Sequence, residues 1–355
     1  MNKYDAIIHE IRFFEKNNCF DNPTDDFVKE LYKHKCFFLI SQLDCSKATV
    51  EFIVERKVNE KRILLTLNEC KPLISFLNEK SIMYALIKGP MLSKKIYDNH
   101  FLRLSSDIDF LIQRENLDLL KQFLNKNGFF QGKIIDGEIS KYNREEILFY
   151  SLNTHQVAPY RKKVSNLLPV FATLDFNTSI IWGESNQTIN TAEVLEHSHT
   201  SEFFSTPIRC LDNEMEFISL CLHHYKDLNS IYLLAKKGIS LNSFLDIYYY
   251  IKNVSLNFEK VLSISSLYNI GRYLYYCFYY TNLIFDNELT HKTLSYFDGF
   301  KDEKIINSYG LEDKEIKKWD VPFFERLFSE KMKDYFADHL SEYDKIKIMQ
   351  NDYYM

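Results

Sequence analysis

The chain has 355 residues, with 44 basic against 49 acidic and a net charge of −5. Its 46% hydrophobic and 26% charged residues are a globular balance, and the length allows two or three domains of about 100–150 residues each. The acidic excess, with no basic run longer than Arg161-Lys162-Lys163, argues against a stable grip on nucleic acid. The seven cysteines are odd in number and scattered, with no Cys-x-x-Cys pair. They read as reduced thiols in a cytoplasmic protein rather than as a zinc ribbon or disulfide frame. Charges inside residues 1–14 exclude a secretory signal there, and no uncharged apolar run is long enough for a membrane span. Oligomeric state is not legible.

Residues 1–78 read as helical. Ile7, Ile8, Ile11 and Phe14 recur at helical spacing, Pro23-Thr24-Asp25-Asp26 is a start signal before Phe27 and Leu31, and a further helix is expected over Ile63–Leu77. The pattern changes near residue 80. Ile82, Tyr84, Leu86 and Ile87 predict a buried strand that feeds the turn Lys88-Gly89-Pro90. A helix is expected from Met91 to Tyr97, with Pro90 suited to its first position. Asp107-Ile-Asp-Phe-Leu-Ile112 reads as a strand, and Asn116–Asn127 as an amphipathic helix stopped by Gly128. Residues 129–182 are rich in β-formers, among them Ile147–Tyr150 and Val170–Phe176. Helical patterns return at Met215–Tyr225, Ser243–Ile251, Phe258–Phe285 and the charged tail Phe323–Met349. The expected organisation is a helical region over 1–78, an α/β core over 79–185 and a helical region over 186–355.

The chemistry centres on carboxylates. Asp107 and Asp109, two apart in an expected strand, leave the same face. Two acids there are costly unless a cation lies between them, and Mg²⁺ takes one or two carboxylates together with substrate phosphates. Asp136-Gly-Glu138 and Glu214-Met-Glu216 have the same spacing without that setting. Lys88 and Gly89 open a helix whose free N–H groups suit phosphate, although an ordinary strand-to-helix turn would look the same. Arg103 reads either as a phosphate fork or as a partner of Asp107. Asp175, inside the apolar run Phe171–Ile180, must be paired, metal-bound or protonated if buried, and could serve as a general base. A strand-end acid facing water is its plainer reading. His223 and His224 read first as packing residues; His223 is also a candidate to line a nucleotide cleft, near Asp246. His155 is a weaker candidate of the same kind.

Taken together, Leu86-Ile-Lys-Gly-Pro through Tyr97, Arg103-x-x-x-Asp107-Ile-Asp109-Phe-Leu-Ile112, the helix ending at Gly128 and Leu174-Asp175-Phe176 resemble the bacterial uncharacterised nucleotidyltransferase family of the polymerase-β-like superfamily. Asp212 to His224 and Phe244-Leu-Asp246 resemble its helical half, so that the likeness covers about residues 60–255. The resemblance implies an α+β fold, a mixed sheet with flanking helices. It implies metal-dependent transfer of an NMP from an NTP such as ATP, with Asp107, Asp109 and Asp175 holding Mg²⁺ or Mn²⁺, and Lys88, Gly89, Arg103 and His223 on the nucleotide side. The acceptor would be a hydroxyl, phosphate or carboxylate on a small molecule, peptide or protein. One departure stands out. The wider superfamily has Gly-Ser at the turn, whereas here Pro90 offers neither hydroxyl nor N–H. A non-catalytic scaffold that holds a nucleotide or partner is therefore a competing reading, and a toxin or defence enzyme is a third.

Overall fold

The computed structural model describes residues 3–44, 50–165, 170–183, 185–311, 316–335, 337 and 340–354; Cys45 lies outside them. The helices and strands, in chain order, are α1 (Lys3–Asn17), α2 (Asp25–Lys33), α3 (Phe37–Ser41), α4 (Val50–Glu79), β1 (Tyr84–Ile87), α5 (Gly89–Tyr97), β2 (Ile108–Ile112), α6 (Leu117–Lys126), β3 (Phe130–Ile135), β4 (Glu138–Lys141), α7 (Arg144–Asn153), β5 (Tyr160–Ser165), β6 (Val170–Asn177), α8 (Thr191–Glu196), β7 (Ser198–Phe203), β8 (Thr206–Leu211) and α9 (Asn213–Asn229). They continue with α10 (Ile231–Lys237), α11 (Leu241–Asn253), α12 (Phe258–Leu267), α13 (Gly271–Phe285), α14 (Glu288–Tyr296), β9 (Ser308–Tyr309), β10 (Lys317–Lys318), α15 (Phe323–Leu327) and α16 (Glu342–Tyr354). The fold is α+β, a large mixed sheet flanked by helices. No helix among the described residues is long and apolar enough to cross a membrane.

Two compact units divide the chain: Ile53–Glu184 with Thr188–Ser219, and Met1–Phe52, Ser185–Gln187 and Leu220–Met355. The first is built on an eight-stranded sheet in the order β4-β3-β5-β6-β2-β1-β8-β7. Strand alternation gives that sheet two different faces. Ile108, Phe110, Tyr160, Ala172, Leu174 and Phe176 turn to one side and join Ile63, Leu67, Leu73 and Leu77 of α4 and Leu120 and Leu124 of α6 in a buried core. Asp109, Thr173, Asp175 and Asn177 occupy the intervening positions and so share the opposite face.

Several elements differ from the expectation, each for a local reason. The helix expected over Ile63–Leu77 is part of a 30-residue helix with Pro72 inside it. Pro72 removes one helix N–H, but it and Asn68, four residues earlier, are exposed, so that water can take the freed carbonyl. Ile147–Tyr150 is helical, not extended. Asn143 caps α7 and Glu146 closes a reciprocal capping box, and this start signal outweighs the β-propensity of an apolar run. The expected helix over Phe258–Phe285 breaks at Tyr268–Ile270, where Asn269 has φ +52°. The sheet also continues past residue 185: β7 and β8, a hairpin in the region expected to be helical, attach through β8 to β1.

The helical unit contains a buried, neutral histidine. His34 of α2 accepts a hydrogen bond at Nδ1 from the Leu241 N–H at 3.2 Å, and its ring is 3% exposed. Burial, reinforced by Lys33 and opposed by Glu30, lowers its pKa from 6.5 to about 4. Because the folded value lies below the unfolded one, the stability this group contributes is complete above pH 6.5 and is lost as pH falls towards 4. Urea unfolding at pH 7 and at pH 4.5 should differ by up to about 3 kcal/mol on this account. His34→Gln should flatten that difference; an unchanged pH dependence in the variant would remove His34 as its source.

Candidate active site

β1 and β2 form an antiparallel pair with Ile87 opposite Asp109, and β2 and β6 a parallel pair with Asp109 opposite Asp175. Two carboxylates on adjacent central strands therefore stand side by side on one face. Asp107 is placed one residue outside β2, in a bend rather than in the strand itself. The loop that carries it is fixed from α4. Asn59, 1% exposed, accepts from the Ser105 N–H at 3.2 Å and donates to the carbonyls of Phe101 and Arg103, each at 3.4 Å. Ser93 of α5 accepts from the Arg103 N–H at 3.1 Å, and Ser105 donates to the Asp107 carbonyl at 2.8 Å. Asn59→Ala would leave the Ser105 amide without this acceptor. The expected cost is about 1–3 kcal/mol, with faster exchange of the Ser105 amide; an unaltered exchange rate would mean that the loop is held by something else.

Lys88 and Gly89 both have positive φ, +59° and +61°. Lys88, at ψ −147°, lies in a region nearly reserved for glycine, a strain of about 1–3 kcal/mol that is maintained where the surroundings fix it. At Gly89 a Cβ would meet the Ser105 hydroxyl only at an ordinary 3.7 Å, so the backbone conformation, not crowding, favours glycine there. Pro90 sits in the first turn of α5, as expected. Of the three acids, Asp109 lines a small cavity together with Lys88, Gly89 and Pro90 of the turn and Phe203 of β7.

The electrostatics are those of crowded acids. Asp109 Oδ1 receives Lys88 Nζ at 3.4 Å and Asn177 Nδ2 at 3.3 Å, the first in an ion pair whose side chains are 9% and 11% exposed. No hydrogen bond among the described residues reaches Asp109 Oδ2. Asp175 Oδ1 is buried with no hydrogen-bond partner. Burial, then Asp109, push the Asp107 carboxyl up to about 6 against the pull of Lys88 and Arg103. Burial, then Asp107 and Asp109, raise Asp175 well above the usual carboxylate range. An orphaned carboxylate oxygen, a free one on its neighbour and mutual repulsion among all three acids make a hard-oxygen donor set that suits a divalent cation. Among the described residues, however, no three His, Cys, Asp or Glu side chains already converge as a closed metal-binding group.

A family model for an uncharacterised nucleotidyltransferase matches residues 49–286, more than half of the chain. The chain belongs to this nucleotidyltransferase family. No curated protein matches it. Among solved structures it is similar to an antigenic nucleotidyltransferase-like protein from Paracoccidioides brasiliensis, at 12% identity and a TM-score of 0.31, over 60% of this chain and 91% of that one. At that distance the likeness says nothing about chemistry.

Within the family match, the structure brings Lys88, Gly89, Asp107, Asp109 and Asp175 together, with Arg103 acting electrostatically on Asp107. His223 belongs to the other unit, where its Nε2 lies 3.5 Å from Asp227. Asp246 has the His224 Nε2 at 3.4 Å, with both side chains buried, and the Asn242 amide at 3.5 Å. Sequence reasoning missed two residues that hold the acids in place. Asn177 was legible in principle, being two residues beyond Asp175 in the same strand. Asn59 was not, because nothing in a helix 48 residues before Asp107 marks it as support for a distant loop.

Proposed function

We propose that the protein transfers an NMP from an NTP to an acceptor, with Asp107, Asp109 and Asp175 holding the divalent cation, Mg²⁺ or Mn²⁺. The observation that carries this reading is the in-register pairing of Asp109 with Asp175 beside the Lys88-Gly89 turn, whose Lys88 ammonium lies 3.4 Å from Asp109. A bound cation would supply charge neutralisation for the phosphates and for the leaving pyrophosphate. The free N–H groups at the start of α5 and the Lys88 ammonium favour triphosphate oxygens at the turn, and Arg103 adds positive charge from the Asp107 side. Asp175, with its raised proton affinity, suits the role of base: it accepts the proton of the acceptor hydroxyl as that oxygen bonds to the α-phosphorus and the bond to the β-phosphate breaks. His223 is kept as a nucleotide-side candidate on its sequence position alone.

The second reading, a scaffold without catalysis, is favoured by two observations. Pro90 removes a phosphate donor from the turn, and Lys88 already neutralises Asp109. Thermal stability with each of the four NTPs, with and without Mg²⁺, separates the two. The transfer reading expects a metal-dependent rise with at least one NTP that disappears in the double variant Asp107→Ala/Asp109→Ala. No shift with any pair of NTP and metal would leave the scaffold.

A further inference from the structure

The chain's one three-residue basic run, Arg161-Lys162-Lys163, lies in β5, next to the strand that carries Asp175. Strand alternation splits it. Lys162 turns to the core side, where it pairs with Glu69 of α4 at 2.6 Å and lies over the Phe129 ring. Arg161 is opposite Thr173 and Lys163 opposite Phe171, so both stand on the face of Asp175. On β4 and β3 the same face carries Lys141, whose ammonium sits 3.7 Å from the centre of the Phe130 ring. That face therefore changes sign across β6: acids on the β6–β2 side, cations on the β5-β3-β4 side.

Arg161 is the informative member. It is half-buried, donates from Nη1 to the Gly132 carbonyl, and has no carboxylate within ion-pair distance among the described residues. Lys163, by contrast, is paired with Glu138. The remaining donors of Arg161 are not sealed from water, so that the fork is open to an anionic ligand. Its place is diagonal to Asp175, one strand over and one pleat back, a separation of about 7–8 Å. Tyr150, buried on α7, senses both Arg161 and Asp175 and, with Tyr142 at 3.4 Å between hydroxyl oxygens, belongs to the same neighbourhood.

We infer that Arg161 forms the acceptor subsite and that the acceptor is anionic, with a carboxylate or phosphate held by the Arg161 fork on the same sheet face as Asp175, one strand over. The inference rests on the transfer reading only for the word acceptor; the anion site itself stands on Arg161. It also gives the charge pattern a use: triphosphate and acceptor anion lie on opposite sides of Asp175, each with its own cations.

The test uses the full chain without metal, titrated calorimetrically with inorganic phosphate and with acetate at constant ionic strength in chloride. Wild type should bind one of them at millimolar strength or better. Arg161→Gln should weaken that binding at least about tenfold, and Arg161→Lys, which keeps the charge but loses the fork, by an intermediate factor. Lys29→Ala, at an exposed lysine of α2 in the other unit, should leave it intact. Whichever probe binds names the anion as phosphate or carboxylate. Equal binding in wild type and both Arg161 variants, or no binding of either probe, would overturn the proposal. Pyrophosphate release from an NTP with Mg²⁺ is measured alongside in wild type. A protein that releases pyrophosphate but lacks the Arg161-dependent anion site sinks this inference alone; one with the anion site and no release sinks the transfer reading alone.

Discussion

Asp109→Ala is expected to abolish transfer, lowering NTP- and metal-dependent pyrophosphate release by at least about a thousandfold. Phosphoryl chemistry is mainly positioning and charge stabilisation, so the loss of a central acid has no substitute. The same variant carries a separate, structural cost. It removes the only carboxylate within ion-pair distance of Lys88 among the described residues and leaves a largely buried ammonium behind. Breaking such a pair from one side is expensive, and about 2–3 kcal/mol is expected here given its partial exposure. Asp109→Asn keeps the shape and an oxygen for Lys88 and Asn177, and should lose activity with a smaller fall in Tm. Rates and melting curves on both variants separate the two effects. An Asp109→Ala protein that melts like wild type would mean that Lys88 finds another partner; one that still transfers would end the catalytic reading.

Asp175→Asn should do the opposite to stability. In the metal-free protein Asp175 is a half-buried acid with one buried, unpartnered oxygen next to two other acids. Its neutral isostere should raise the Tm at pH 7 while removing transfer and the stabilisation by Mg²⁺. The pH dependence follows with a definite sign. The folded pKa of Asp107, about 6, lies above its ordinary 3.8, so the folded state binds more protons than the unfolded one between these values. The acid cluster therefore weakens the metal-free protein progressively as pH rises from about 4 through 6, by at most about 3 kcal/mol for this group. A divalent cation at neutral pH should relieve the same repulsion. The Mg²⁺-induced rise in Tm is thus expected to be larger at pH 7 than at pH 5, and to be absent in Asp175→Asn. A Tm that falls on this substitution would show the acid to be a structural partner rather than a waiting ligand. Arg161 makes that outcome informative, since it is the cation that most strongly pulls Asp175 back towards ionisation.

Besides the family, which came from the resemblance of its motifs, the sequence by itself determined the strand–turn–helix from Tyr84 to Tyr97, β2 with Asp109 though not the place of Asp107 just outside it, the helix before Gly128 and β6 with Asp175. Each of these rests on local rules: alternation, a glycine at positive φ, an acid inside an apolar run. Ile147–Tyr150 shows where local reading fails within its own terms, because an apolar run fits a strand or a helix and the cap at Asn143 settles it. Only the tertiary structure decided the rest. That Asp175 stands opposite Asp109, and not one residue off on the buried face, depends on the register of two strands more than 60 residues apart in sequence. Attachment of the β7–β8 hairpin to β1, the hold of Asn59 on the loop of Asp107, the pairing of His224 with Asp246 and the division of Arg161 from Lys162 onto opposite faces are likewise long-range. A side chain's meaning in these cases comes from its neighbour across a strand or helix, and that neighbour is chosen by burial of the whole sheet rather than by the residues beside it in sequence.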